Sequence, residues 1–230
     1  ISQLENDLFN FIKDNYKNKI ILNTKSIILP YELDIYLPDL KIAFEFNGVY
    51  WHNELNKSND YHYNKTNLCL KKNIQLIHIY EDDWIYKQDI VKSMILNKLN
   101  KINNKIYARK CEIKEIYNNK LIKDFLNKNH IQSFIGSNVK IGLFYNNELI
   151  SLMIFGQLRK NMNLNNNENE YEMLRFCNKL NTIVIGGASK LLKYFVNKYV
   201  PNLIVSYADR SYSNGHLYQQ LGFKLDHITD

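Results

Sequence analysis

The sequence predicts a mixed α+β protein of two domains, residues 1–105 and 106–230. The first half alternates strand and helix patterns, and a strand, helix, strand order of this length implies a parallel crossover. The second half centres on a hairpin joined by Asn146 and Asn147, which favours a mostly antiparallel sheet with helices. A Lys/Asn-rich stretch at 100–105 is the predicted linker.

The helix and strand patterns follow one another with clear boundaries. Ser2 and Glu5 form a capping box, and apolar spacing continues the helix to residue 17. In the first domain, strands are predicted at 20–22, 32–37, 41–46 and 74–80, with helices from Ser58 or Asp60 to Lys72 and over 83–99. In the second, the predictions are strands at 106–113, 139–145, 148–155, 171–177 and 203–207, helices at 120–129 and from Gly186–Gly187 to Tyr199, and an Asn-rich loop at 161–167.

Composition excludes several classes of protein. A hydrophobic fraction of 45% is too high for a disordered chain, and no apolar run is long enough for a membrane span. No charged-then-apolar leader is visible, so a cytoplasmic location is expected, in a bacterial host if the gene is phage-borne. The 3 cysteines form no CxxC pair, which predicts free thiols and no zinc site.

The positive charge is unevenly distributed. The chain has 30 Lys+Arg and 23 Asp+Glu, a net charge of +7. Residues 1–106 have a net charge of +1 and residues 107–230 have +6. Such an excess favours a polyanionic partner, and double-stranded DNA is the partner predicted for the second domain.

Two carboxylates carry the most informative chemistry in the first domain. Asp34 and Glu45 fall on two strands joined by a tight turn, and Glu45 interrupts an apolar, buried strand. Because an unpaired buried charge is costly, a metal would compensate it, and hard carboxylates suit Mg²⁺, with Mn²⁺ as a substitute. In the alternative interpretation, Asp34 lies on a wet strand face and Glu45 pairs with a lysine.

Asp34, the run Glu45 to Gly48 and the run Tyr50 to His52 resemble the PD-(D/E)XK nucleases, in the branch of very-short-patch-repair and phage homing endonucleases. The resemblance covers about residues 2–98 and implies a mixed sheet flanked by helices. It implies Asp34 and Glu45 as metal ligands and His52 as general acid or base. Glu5 matches an acidic residue that can orient metal-bound water, although the capping box explains it equally well.

The sequence departs from this family at two positions. Asn47 replaces the lysine of the family name, so Lys65 or His52 would have to stabilise the phosphate. Val49 stands where a zinc-binding cysteine would be expected, which again predicts no zinc.

Other residues could face the same active site. His62 and Lys65 share one face of the following predicted helix and could look into the site or into solvent. Tyr50 and Trp51 match aromatics that relatives insert into the base stack, or they pack in the core.

The second domain resembles the GNAT acetyltransferase-like fold. Gly186, Gly187 and Ala188 open a helix at a ready anion site, and the stretch 217–223 fits the family's closing elements. Ile183 stands where Gln or Arg is expected, so bound acetyl-CoA is not expected. Instead, four cations of this domain are expected to contact backbone phosphates: Arg159, Lys160, Arg175 and Arg210.

Together these features predict a Mg²⁺-dependent DNA endonuclease of the phage homing type. Two alternatives stay open at this point: an acetyltransferase-like enzyme with an associated nuclease-like module, and a non-catalytic DNA-binding protein. Sequence alone leaves the oligomeric state undetermined.

Overall fold

A computed structural model describes residues 2–48, 61–158 and 169–228 of the chain. The chain divides into two compact units, which we call unit 1 (Ile1–Lys101 with Asp209–Gly215) and unit 2 (Ile102–Ala208 with His216–Asp230). The segment Asp209–Gly215 thus belongs to unit 1, although sequence placed it in the second domain. No helix in the described ranges is long and apolar enough to cross a membrane. The predicted Asn-rich loop, 161–167, lies outside the described residues.

Unit 1 contains a four-stranded sheet with helices before, within and after it. Its elements are α1 (Gln3–Asn15), β1 (Ile21–Ile28), β2 (Tyr31–Leu37), β3 (Ile42–Asn47), α2 (Tyr61–Lys71), β4 (Gln75–Tyr80), α3 (Glu81–Tyr86) and α4 (Gln88–Lys98). The strand order is β1-β2-β3-β4, antiparallel except for the parallel pair β3 and β4. The predicted parallel crossover is therefore confirmed.

In unit 1, one predicted helix begins where the sequence indicates and another is divided in two. Ser2 caps α1, because its hydroxyl accepts the Glu5 N–H while the Glu5 carboxylate accepts the Ser2 N–H, so the predicted capping box is confirmed. The predicted single helix 83–99 is wrong. The backbone leaves the helical region at Lys87 (φ −131°, ψ 32°), which separates α3 from α4.

A segment from late in the chain covers the open edge of the unit 1 sheet. We call Asp209–Gly215 the strap. The His78 N–H of β4 donates to the Ser211 carbonyl oxygen at 2.9 Å, and the Tyr212 hydroxyl donates to an Asp83 oxygen at 2.6 Å. Because β4 is the last strand of its sheet, the strap satisfies a backbone group that would otherwise be left at an edge.

Unit 2 is an α+β assembly around a five-stranded sheet. Its elements are β5 (Lys105–Tyr107), a 3-10 turn (Ala108–Lys110), β6 (Glu112–Glu115), α5 (Asn119–Asn129), β7 (Val139–Tyr145), β8 (Glu148–Gln157), β9 (Glu170–Asn178), β10 (Ile183–Ile185), α6 (Gly187–Tyr199), β11 (Leu203–Val205) and α7 (His216–Gln220). The large sheet has the order β11-β9-β8-β7-β6, and β10 pairs with β5 in a second, parallel sheet.

The elements predicted for unit 2 are present except that one predicted strand is divided, and two short elements, β10 and α7, were not predicted. The hairpin β7–β8 and the glycine-started helix α6 are present as expected. The predicted strand 106–113 is instead two strands in different sheets, because the chain makes a 3-10 turn at Ala108–Lys110. The mixed α+β class is confirmed for the described chain.

Helix α6 packs its apolar face on the large sheet. The Phe195 ring stacks on Phe155 of β8 with centroids 3.6 Å apart and planes 6° from parallel. At its start, a Cβ on Gly187 would lie 3.0 Å from a methyl carbon of Val184, so a side chain there would push the helix away from β10. Gly186 has φ +75°, a left-handed conformation that favours glycine. The glycine pair therefore fixes where α6 begins.

Candidate functional site

The most buried charges of unit 1 belong to an ion pair. Lys65 of α2 is 1% exposed and Glu45 of β3 is 7% exposed, and the Lys65 ammonium contacts a Glu45 carboxylate oxygen. The Lys65 ammonium also lies 5.9 Å from the centre of the Tyr61 ring. Lys65 reaches Glu45 because α2 lies between the two parallel strands β3 and β4 along the chain. The alternative in which Glu45 pairs with a lysine is the one that the structure shows.

Asp34 lies beside this pair. Its carboxylate accepts the Phe46 N–H at 2.9 Å, which ties β2 to β3. Burial raises the pKa of Asp34 above its ordinary value, while the Phe46 hydrogen bond and the Lys65 charge oppose that rise. The carboxylate is half-buried and held by the protein, unlike a residue on a wet strand face.

A buried histidine joins α2 to both central strands. His78 of β4 contacts the Asn47 amide nitrogen through Nδ1 at 3.1 Å and the Thr66 hydroxyl through Nε2 at 3.1 Å. Donation by the Asn47 amide makes Nδ1 the acceptor and leaves Nε2–H to donate to Thr66. Burial, with nearby His62 and Lys65, lowers the pKa of His78 to about 4. The imidazole is therefore neutral at physiological pH.

Sequence reasoning missed His78, although a usable signal was present. A histidine interrupts the apolar strand 75–80 just as a glutamate interrupts 42–47, and the two residues are register partners on parallel strands. Asn47, assigned to catalysis, is buried and spends a contact on His78. We refer to Asp34, Glu45, Asn47, Lys65, Thr66 and His78 as the unit 1 polar cluster.

Three further residues were predicted to be catalytic: Glu5, His52 and His62. Glu5 completes the α1 capping box, and its charge also contributes to the raised pKa of Asp34. The His62 ring meets His78 edge-on at 5.4 Å between centroids. His52 and the two aromatics Tyr50 and Trp51 lie outside the described residues.

Among the described residues, no group of three or more His, Cys, Asp and Glu is arranged to hold a metal ion. The charge on Glu45 is compensated by Lys65 instead. Magnesium or manganese ligation by Asp34 and Glu45 stays a prediction, as does the absence of zinc. The three thiols Cys69, Cys111 and Cys177 are free, as predicted.

Two of the four cations assigned to DNA, Arg210 and Arg175, belong to the described chain, one in each unit. The Arg210 guanidinium, in the strap, donates to the Asn67 side-chain oxygen at 2.8 Å and lies 5.3 Å from the Tyr63 ring centre. Arg175 of β9 donates to the Leu174 carbonyl oxygen at 2.7 Å. Arg159 and Lys160 lie outside the described residues. Their role in binding nucleic acid stays a prediction.

In unit 2, the short edge strand β11 runs parallel to β9 and covers only the first part of it. β11 pairs with β9 only from Leu203↔Glu170 to Val205↔Glu172. The Ser206 hydroxyl donates to the Met173 carbonyl oxygen at 2.9 Å, and β9 then continues to Asn178, beyond the last residue that pairs with β11 in the described chain. We call the region beyond Glu172 and Val205 the strand opening. An extended ligand could pair there with β9 as an added strand.

The N-terminus of α6, which follows β10, presents backbone N–H groups that can donate hydrogen bonds. The first amides of a helix have no intrahelical acceptors and favour anions. No acidic side chain lies in the first turn of α6. Ser189 in that turn is exposed, so a ligand can reach it.

Comparison with known proteins gives low-identity similarity to acetyltransferases. No protein-family model matches the sequence, and no curated protein is similar to it. The solved structures that are similar include two of the aminoglycoside acetyltransferase meta-AAC0020 from an uncultured soil metagenomic sample. The complex with trehalose is 10% identical with a TM-score of 0.39, covering 53% of this chain and 96% of that one. The complex with sisomicin is 12% identical with a TM-score of 0.38 and the same coverage, 53% and 96%.

These findings correct the predicted function. The two similar structures named above are of an acetyltransferase, and the expected PD-(D/E)XK family finds no support in the comparisons. The prediction of a Mg²⁺-dependent homing endonuclease is wrong and is withdrawn. The physical reason in unit 1 is that the Glu45 carboxylate, on which the metal argument depended, is neutralised by a buried lysine.

Removing one partner of the buried ion pair should strongly destabilise unit 1. We expect Lys65→Met to lower the free energy of unfolding by about 3–5 kcal/mol, because it leaves the Glu45 charge buried without its counter-ion. The double variant Glu45→Leu/Lys65→Met should recover most of that loss. Urea unfolding followed by tryptophan fluorescence measures this, since Trp51 and Trp84 both belong to unit 1. A loss below about 1 kcal/mol in Lys65→Met would contradict the expectation.

The stability of unit 1 should fall in acid through His78. Its folded pKa, about 4, lies below the ordinary value of 6.5, so the unfolded state binds the proton first as the pH falls. The stabilisation is complete above pH 6.5 and is lost between 6.5 and about 4, by at most about 3 kcal/mol. His78→Gln should show a smaller loss over that range in the same fluorescence-monitored unfolding. Parallel losses in both proteins would show that other groups titrate.

Proposed function

We propose that the protein is an acyltransferase whose unit 2 binds a coenzyme A thioester and transfers the acyl group to an amine. The strand opening is the observation that carries this proposal. In the described chain, β11 pairs with β9 only as far as Glu172, and β9 continues to Asn178, which leaves a strand edge suited to an extended, amide-containing chain. The pantetheine arm of coenzyme A is such a chain.

A phosphate site in the same unit supports this choice of donor. The donor nucleotide carries phosphates, and α6 begins with two glycines, free backbone amides and no acidic side chain in its first turn. The residue expected to assist, Gln or Arg, is Ile183, which lies in β10. The backbone amides of α6 would therefore contribute most of the phosphate contact.

Glu172 is the candidate general base. It occupies the last paired position of β9 before the strand opening, opposite Val205. Its neighbour Tyr171 contacts the Phe195 ring of α6 and its neighbour Met173 belongs to the same core cluster, so alternation turns Glu172 to the opposite sheet face. An attacking amine must lose a proton as its nitrogen bonds to the thioester carbonyl carbon and the thiolate leaves. A buried carboxylate beside the opening can accept that proton.

Unit 1 would direct this activity to its acceptor. The sequence left open an acetyltransferase-like enzyme with an associated nuclease-like module. Unit 1, with its order of helix, strands, helix and strand, corresponds to that module. The net charge of +7 keeps nucleic acid, including double-stranded DNA, among the proposed partners. In this proposal the polar cluster of unit 1 holds the module together.

Acetyl-CoA should bind the intact protein, and a negative charge at the start of α6 should weaken that binding. We expect measurable heat in a calorimetric titration of the wild type. Ser189→Glu should raise the dissociation constant about tenfold or more, because it repels the donor phosphates. Asn197→Glu is the matched control, since it adds the same charge near the other end of α6. No heat with acetyl-CoA or coenzyme A at millimolar concentration would refute the proposal.

Loss of the carboxylate at residue 172 should slow transfer without preventing donor binding. We expect Glu172→Gln to lower the rate of coenzyme A release in the presence of amine acceptors by about 10²–10⁴-fold. Free thiol appearing with time measures this, and aminoglycosides, polyamines and short lysine peptides serve as acceptors. Glu170→Gln on the same strand is the control. A normal rate in Glu172→Gln at all pH values would assign the base elsewhere.

A further inference from the structure

Four exposed side chains near the start of unit 2 form a surface that the acyltransferase proposal does not use. They are Lys105, Tyr107, Arg109 and Lys110, and we call them the cationic ridge. In β5 the side chains of Lys105 and Tyr107 point outward, while Ile106 packs against the core. The 3-10 turn that follows presents Arg109 and Lys110 to solvent.

The backbone beneath the ridge is firmly held. β5 pairs in parallel with β10 over Lys105–Tyr107. The Lys190 ammonium of α6 donates to the carbonyl oxygens of Ala108 at 2.9 Å and Cys111 at 2.7 Å. The Cys111 thiol donates to the Tyr107 carbonyl oxygen at 3.5 Å. A ligand would thus meet a preorganised surface, which lowers the entropy lost on binding.

The ridge carries positive charge that no neighbouring carboxylate neutralises. Within the described ranges, no carboxylate forms a salt bridge with Lys105, Arg109 or Lys110. The paired strand β10 contains no charged residue, and the first turn of α6 contains no acidic one. Three cations on one rigid surface favour a polyanion.

An aromatic ring lies among these cations. The Arg109 guanidinium lies 5.0 Å from the centre of the Tyr107 ring, and that residue is 46% exposed. An exposed ring next to an arginine is a surface on which an unpaired base can stack. The cations extend over a strand and a turn, roughly 10 Å, which is longer than one phosphate needs and suits a chain of phosphates.

We propose that the cationic ridge binds single-stranded nucleic acid, with Lys105, Arg109 and Lys110 on phosphates and Tyr107 against a base. This proposal is independent of acyl transfer. A single strand is favoured over a duplex because Tyr107 can stack only on a base that is not already paired and stacked.

Fluorescence anisotropy of the full chain with a short labelled single-stranded DNA oligonucleotide tests this. Arg109→Ala/Lys110→Ala should weaken binding about tenfold or more and reduce the slope of log affinity against log salt by about 1.4. Lys123→Ala/Lys128→Ala, which removes the same charge from the exposed face of α5, should change affinity by less than about threefold. Tyr107→Leu should weaken binding about fivefold or more, and Tyr117→Leu, at an 82% exposed tyrosine, should not.

Three results would overturn the proposal. Equal losses in the two double-alanine variants would show binding by overall charge alone. Equal or tighter binding of the corresponding duplex would exclude base stacking on Tyr107. Displacement of the oligonucleotide by coenzyme A, with loss of acetyl-CoA binding in Arg109→Ala/Lys110→Ala, would assign the ridge to the acyl donor. If Arg109→Ala/Lys110→Ala still binds acetyl-CoA as the wild type does, a failure of nucleic-acid binding says nothing against the acyltransferase proposal.

Discussion

The ammonium of Lys190 is the contact on which the proposed surfaces of unit 2 depend. It emerges from the first turns of α6 and donates to two carbonyl oxygens, those of Ala108 and Cys111, at 2.9 and 2.7 Å. Hydrogen bonds from a charged donor contribute about 1.5–3 kcal/mol each. The contact joins the beginning of α6 to the 3-10 turn that carries Arg109 and Lys110. The proposed phosphate site and the cationic ridge are therefore held in place by one side chain.

Unit 1 uses buried charge differently. Lys65 and Glu45 are both removed from water, so each is tolerated only while the other is present. Their contact, the Asp34–Phe46 hydrogen bond and the His78 contacts tie α2 to β2, β3 and β4. The charge of Glu45, which suggested a metal site, is thus compensated by an ammonium group of the protein itself.

Local signals in the sequence were sufficient where short-range contacts decide the structure. The capping box at Ser2 and the hairpin turn at Asn146 and Asn147, with φ of 49° and 63°, need only neighbouring residues. The left-handed Gly186 likewise marks the start of α6. These features were correctly predicted because no distant contact competes with them.

Contacts between distant residues account for what the sequence did not reveal. The break at Lys87 and the 3-10 turn at Ala108–Lys110 interrupt patterns that look continuous, and the turn is held by Lys190 from much later in the chain. The strap reaches β4 from more than a hundred residues away, and no local pattern announces such pairing. The sequence also did not indicate which residue pairs with Glu45, because it placed Lys65 only on one face of a helix and not next to a particular strand.

The net charge of each domain does not show which of its cations can bind a polyanion. The net charge of +6 over residues 107–230 includes cations already committed: Lys114, Lys179 and Lys198 pair with carboxylates, and Lys190 binds carbonyl oxygens. Lys105 was counted with the other half of the chain. Only when β5 and the following turn are seen as one surface do Lys105, Arg109 and Lys110 combine. Local compensation, rather than total charge, determines where a polyanion is attracted.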